Sequence, residues 1–390
     1  MNDIVVSPEE AAARVISPAD YVSCPTAFID CKKPGSHLKR NYSMIGPGVT
    51  TSTEQVVNIR EPHGFNIGAA GMPTGITNNL HIHFTAEVFM VFGGSYIFRW
   101  GDNGQDGELL GEDGDIISVP TWIFRGFVNT GPNEAMVFTT LGGDDTGGII
   151  WHPSILAEAG QYGLYLTKDN ILVDTEKGGQ RPPHDQLIEP ISQAEIATLR
   201  RYAPAEMRKR AVKVSDRVWS NAALLDACLP GHASEIAPVI GFGMSQDRNH
   251  EAPITNPHGF SHEWLRLAPG QSVSRHRIHA KQVLLAHTGH FTVTLNAPGD
   301  EIDLQLEAWG MVSVPAGAWR SIRNDSDGVA EVLLITNGDA RKIPEWPAET
   351  VDAARAAGWA ADASGMIAPA HLLPNYLIGR QSLEMAKETA

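Results

Sequence analysis

Apolar residues along this chain recur either at every second position or in unbroken runs of five to eight, and both are strand patterns. GFNIGAA, TAEVFMVFGGSYIFRWG, DIISVPT and EAMVFTTLGG in the first half are of this kind. Turn-forming stretches such as GDNGQDGE and NAPGDE punctuate them. Helical patterning is confined to HPSILAEAGQYGLYL, PAETVDAARAAGWAA and a charged connector over 185–215. Pro153 and Pro347 stand near the starts of the first two, where a helix tolerates proline best. Many short strands at this spacing predict an all-β molecule of small antiparallel barrels with short flanking helices, each barrel having a pocket at its mouth.

The pattern occurs twice. A shift of 195 residues, half of the 390, aligns the chain with itself without a gap. Pro62-His63-Gly64-Phe65 falls on Pro257-His258-Gly259-Phe260, His81 on His276, and Gly94 on Gly289. Ser118-Val119-Pro120 falls on Ser313-Val314-Pro315, Arg125 on Arg320, Asn129 on Asn324, and Trp151 on Trp346. A tandem duplication with halves meeting near residue 195 explains so many identities in one register.

Candidate chemistry is concentrated in GITNNLHIHFTAEVFMVFGG, residues 75–94. His81 and His83 are two apart, so a strand presents both imidazoles on one face. Glu87 follows at a further even step and is expected to share that face. Such a triplet also arises by chance on a solvated strand. A glutamate set among apolar residues needs a partner, however, and a divalent transition metal such as Fe, Mn, Ni, Co, Cu or Zn fits two imidazoles and a carboxylate.

Gly75, His81, His83, Glu87 and Gly94 match at every position the first motif of the cupins. Gly114, Pro120 and Asn129 match the second. With both halves covered, roughly over 60–145 and 255–340, the chain resembles the bicupins, two tandem jelly-roll barrels in one polypeptide. The expected division is an N-terminal arm (1–60), a metal-binding barrel (61–175), a connector (176–255), a degenerate barrel (256–370) and a C-terminal tail (371–390).

Two departures from the motifs matter. Arg125 occupies the place of the second motif's histidine and Trp122 that of its glycine. A guanidinium stays protonated and has no free lone pair, so it cannot coordinate a metal. By resemblance His81, His83 and Glu87 carry over as ligands, and three protein ligands leave positions open for substrate or oxygen. Two readings of Arg125 stand: a salt bridge to an internal acid such as Glu87, or a hold on an anionic substrate oxygen. His63 is a candidate fourth ligand, but its repetition as His258 favours a shared structural role. In the second half Ile278 and Gln282 replace the second histidine and the glutamate, so no metal is expected beside His276 and Arg320. Trp309, Trp319, Leu284 and Leu285 point to a filled barrel there.

The resemblance implies an Fe(II)-dependent, extradiol-type dioxygenase taking a small hydroxylated aromatic (gentisate-, hydroquinone- or flavonol-like) together with O2, as in aromatic compound degradation. Trp122, Phe89 and Phe124 are expected on the substrate pocket. A non-oxidative metal-dependent isomerase or lyase, and a non-catalytic binding bicupin, are the alternatives. Bicupins commonly form homo-oligomers, and the same is expected here. A formal charge of −15 argues against nucleic acid and anionic membranes as partners. Three cysteines, Cys24, Cys31 and Cys228, make no disulfide framework. With no signal-peptide pattern and no long apolar run, the expected location is the cytoplasm.

Overall fold

The computed structural model describes residues 4–374. Residues 375–390, most of the expected C-terminal tail, lie outside the described part. The chain forms two compact units, one of Asp20–Asp216 and one that joins the chain start up to Ala19 with everything from Arg217 onward.

In the first unit two sheets face each other. One runs in the order Ala211–Val212, Ile116–Val119, Glu87–Phe92, Ala135–Gly142, Phe65–Met72, Arg40–Ile45, Val57–Ile59. The other runs Ile149–Trp151, Thr77–His83, Arg125–Asn129, Ser95–Trp100, Gly107–Glu112. Neighbouring strands are antiparallel except Arg40–Ile45 with Val57–Ile59. Phe89, Val91, Phe98, Trp100 and Phe127 fill one end of the space between the sheets as a continuous apolar cluster.

The second unit repeats the plan. Its larger sheet runs Val15–Ile16, Met311–Val314, Gln282–Thr288, Ala330–Asn337, Phe260–Leu267, Ser234–Ile240. Its smaller sheet runs Ser272–His276, Arg320–Asn324, Phe291–Leu295, Ile302–Leu306. The 195-residue shift carries Phe65–Met72 onto Phe260–Leu267, Ile116–Val119 onto Met311–Val314, and Ala135–Gly142 onto Ala330–Asn337 with no change of register. Leu265, Leu284, Val293, Val312 and Leu334 are fully buried in one core there. The core there is mainly aliphatic. Trp319 instead lies beneath the Arg277 and Arg275 guanidiniums.

Each barrel borrows its edge strand from the lead segment of the other repeat. Val15–Ile16 pairs with Met311 and Val312, and Ala211–Val212 pairs with Ile116 and Ile117. Residues 20–60 of the expected arm are not an appendage, because Arg40–Ile45 and Val57–Ile59 are strands of the first barrel. The predicted helices are shorter than the patterning suggested. Pro153–Ala159 and Ala348–Ala356 are helical, and the residues after them turn back as the strands Leu164–Leu166 and Trp359–Ala361. Over 185–215 only Gln193–Ile196 and Pro204–Arg208 are α-helical. A capping box at Ser192 and the proline at 204 each start a new short helix in place of any longer run. The Arg210 guanidinium in this connector donates to Ser118 Oγ at 2.7 Å.

Candidate metal centre

His81 and His83 end the strand Thr77–His83, and alternation brings their rings together with centroids 4.8 Å apart. Glu87 arrives differently from the expected even step along one strand. The chain leaves the smaller sheet at residues 84–86 and enters the larger one, where Glu87 pairs with Val119 and Leu141. The carboxylate therefore meets the imidazoles from the facing sheet. One donor atom from each of His81, His83 and Glu87 lies within 4.8 Å of the others, and all three residues are buried. No other group of three histidines, cysteines or acids among the described residues meets that condition.

The surroundings set these side chains for coordination. His81 Nδ1 is 2.6 Å from the Asn79 carbonyl oxygen. A carbonyl only accepts, so Nδ1 carries the proton and Nε2 presents its lone pair inward. Trp151, paired with His81 across the strands, packs its ring 5.5 Å from that imidazole. Burial and the neighbouring His83 hold His81 well below the ordinary imidazole range, so it is neutral. Burial pushes the Glu87 carboxyl up, but His83 and Arg125 outweigh it and hold the group at about 2. Glu87 Oε1 lies 3.3 Å from His83 Nε2, while Glu87 Oε2 and His83 Nδ1 are buried without a hydrogen-bond partner. A neutral His81 imidazole, an ionised carboxylate and buried ligand atoms left without hydrogen-bond partners are what a divalent metal requires. The residues present fit such an ion.

Arg125 pairs with His81 and Trp100 in the smaller sheet. Its Nε lies 3.7 Å from Glu87 Oε2, and its Nη2 donates to the Pro120 carbonyl at 2.6 Å. Burial pulls the guanidinium down to about 10, and Glu87 opposes this, so Arg125 remains charged. It is not among the residues that line the cavity beside Glu87.

A cavity of about 60 Å³ opens beside His81, His83 and Glu87. Phe89, Phe127, Ile149, Leu141 and Trp151 give it apolar walls, and Lys39, Asn41, Ser43 and Asn78 give it a polar end. Of the aromatic residues expected there, only Phe89 is present. Phe124 precedes Arg125, so alternation turns it to the opposite face, against Ile82, Ile196 and the His152 ring. Trp122 is 49% exposed and packs on Phe84. It contributes through its backbone, whose N–H reaches the His83 carbonyl at 3.2 Å. Its φ of 60° is one that the equivalent Gly317 adopts freely, at 78°.

His63 is buried away from this cluster. Its Nδ1 meets the Glu61 carbonyl at 2.6 Å and its N–H donates to Asp144. His258 repeats both contacts with Asn256 and Asp339, and each ring packs 5.8 Å from the next phenylalanine. The same contacts thus recur in a barrel that lacks the other ligands.

Lys39 belongs to no motif and was not expected at the site. Its Nζ is held by both Asp30 carboxylate oxygens at 2.9 and 2.8 Å and by Asn78 Oδ1 at 2.5 Å, over the Phe28 ring. The one available clue is negative, since the duplication puts Ser234 at the equivalent position.

No family model and no curated protein matches the chain. Solved structures do. An oxalate decarboxylase from Lactobacillus farciminis superposes with a TM-score of 0.53 at 11% identity, over 87% of this chain and 90% of that one. A vicilin from Capsicum annuum gives 0.52 at 11% identity, over 86% and 88%. A 7S globulin from Momordica charantia gives 0.51 at 10% identity, over 86% of each. At this identity the likeness concerns the fold, and the fold is that of the bicupins.

Proposed function

We propose that this bicupin is a single-site metal enzyme of the oxygen-incorporating class, working from its first barrel. The observation that supports it is the buried trio His81, His83 and Glu87, with Arg125 where a fourth ligand would stand. Two imidazoles and one carboxylate with open positions suit non-haem Fe(II), with Mn, Ni, Co, Cu or Zn as the other candidates. Bound there, iron(II) would supply electron transfer between a coordinated hydroxylated substrate and O2.

The chain's own residues do the rest. Asn79 fixes the His81 tautomer, and Arg125 orients Glu87 while keeping it ionised. Phe89, Phe127 and Trp151 exclude water from the reacting side, and the polar end at Asn41, Ser43 and Asn78 takes the substrate's polar group. The substrate we favour is a compact hydroxylated aromatic or enol bearing a negative charge. We extend the proposal to a cytoplasmic homo-oligomer, as in other bicupins.

The non-oxidative alternative has one observation behind it. About 60 Å³ is less than half of the roughly 150 Å³ cavity that holds a benzene ring. A substrate of a few heavy atoms, isomerised or cleaved with the metal as Lewis acid, suits that space without any opening of the mouth. Oxygen uptake with a panel of dihydroxyaromatics and enols, on iron-loaded protein, separates the readings. Uptake matched to substrate loss supports the oxygenase, and turnover with oxygen excluded replaces it with the isomerase or lyase.

A further inference from the structure

At the position of Glu87 the two barrels differ in charge, and the difference leaves an arginine without its acid. In the first barrel Glu87 lies 3.7 Å from Arg125 and the Pro120 carbonyl accepts from it. In the second, Arg320 keeps the same place, paired in register with His276 as Arg125 is with His81. Glu87, however, is replaced by Gln282. Arg320 is fully buried, and its Nε, Nη1 and Nη2 have no hydrogen-bond partner. Burial alone lowers it, to about 9, with no acid acting on it, so it is still protonated at neutral pH.

The neighbours are held as they are around Arg125. His276 Nδ1 lies 2.8 Å from the Ser274 carbonyl, and its ring packs 5.3 Å from Trp346. Its Nε2 is therefore a lone pair aimed inward, buried and unpartnered. Burial and Arg320 hold His276 at about 3, so it is neutral. Gln282 donates through Nε2 to Thr336 at 3.0 Å, which leaves its Oε1 as a second buried acceptor without a donor. A guanidinium enclosed without a counter-charge is strongly unfavourable, and so is each orphaned acceptor.

We propose that the second barrel binds a small hydroxy-carboxylate monoanion, its carboxylate on the Arg320 fork and its hydroxyl donating to His276 Nε2 or Gln282 Oε1. The bound carboxylate supplies the counter-charge that Glu87 supplies to Arg125 in the first barrel. Arginine's planar fork matches a carboxylate in bidentate fashion. No step of the first barrel's chemistry is needed for this, so the site stands or falls by itself.

Thermal unfolding of the full chain, titrated with sodium glycolate at constant ionic strength, tests it. Ligand at ten times its Kd raises the wild-type Tm by about 4 °C. Gln282→Glu rebuilds the internal counter-charge without changing shape, and its Tm is independent of glycolate. Arg320→Met removes the cation and is likewise insensitive. Glycolate reaching the first barrel's metal site affects all three proteins alike and leaves the differences between them untouched. A wild type that ignores glycolate, or a rise of equal size in all three, overturns the site. Acetate, which lacks the hydroxyl, gives a smaller rise, and an equal one overturns the hydroxy-acid assignment.

Discussion

Replacing Glu87 by Gln in the metal-stripped protein isolates the electrostatics of the centre. The side chain keeps its volume, but Arg125 loses the carboxylate 3.7 Å away and becomes a second Arg320. In the wild type the carboxyl is held at about 2 against its usual 4.5. A depressed acid contributes stability that is present above its unfolded pKa and is lost as pH falls toward its folded one. A shift of about 2.5 units corresponds to about 3 kcal/mol at pH 7, of which about 2 kcal/mol is gone at pH 3. At pH 7 the variant is therefore less stable by about 3 kcal/mol, or roughly 6–12 °C for a unit of this size. Its disadvantage shrinks to about 1 kcal/mol at pH 3. Urea unfolding at a series of pH values, monitored by tryptophan fluorescence in the presence of a chelator, reads both numbers. Wild type and variant losing stability in parallel from pH 7 to pH 3 would refute the claim that buried cations hold Glu87 ionised.

Lys39→Met strands the fully buried Asp30, and urea unfolding should show a loss of about 3–5 kcal/mol that the double variant with Asp30→Asn largely restores. Arg125→Met leaves all three ligands in place but frees Glu87 to turn, so competition with a metal-binding dye should show affinity lower by about 10–100-fold. Trp122→Gly removes the cost of a left-handed backbone at an exposed residue, and thermal unfolding should show a gain of up to about 1 kcal/mol after the lost contact with Phe84.

What the sequence revealed and what it hid follow from the range of the interactions. His81 and His83 were legible because the period of a strand is local and fixed. Glu87 was found through its motif, but the reason offered for its position was wrong in detail, since the turn at 84–86 sends it to the facing sheet. The same alternation, applied to Phe124 beside Arg125, would have turned that ring outward. Trp122 was misplaced because its left-handed φ breaks the alternation altogether. The 195-residue repeat exposed the barrels and the neutral Gln282 in place of a second Glu87. Lys39 escaped notice because its contacts with Asp30 and Asn78 join a lead segment to a distant strand and have no counterpart in the repeat. The exchanged edge strands Val15–Ile16 and Ala211–Val212 are two residues each, too short for any periodicity to register.

The central claim is one metal centre in the first barrel and none in the second. Elemental analysis of the purified, iron-loaded chain measures it directly. The expected result is close to one transition metal per chain, falling to background in His81→Ala, His83→Ala and Glu87→Ala and unchanged in His276→Ala. Two metals per chain, or one that survives His83→Ala and disappears with His276→Ala, would contradict it.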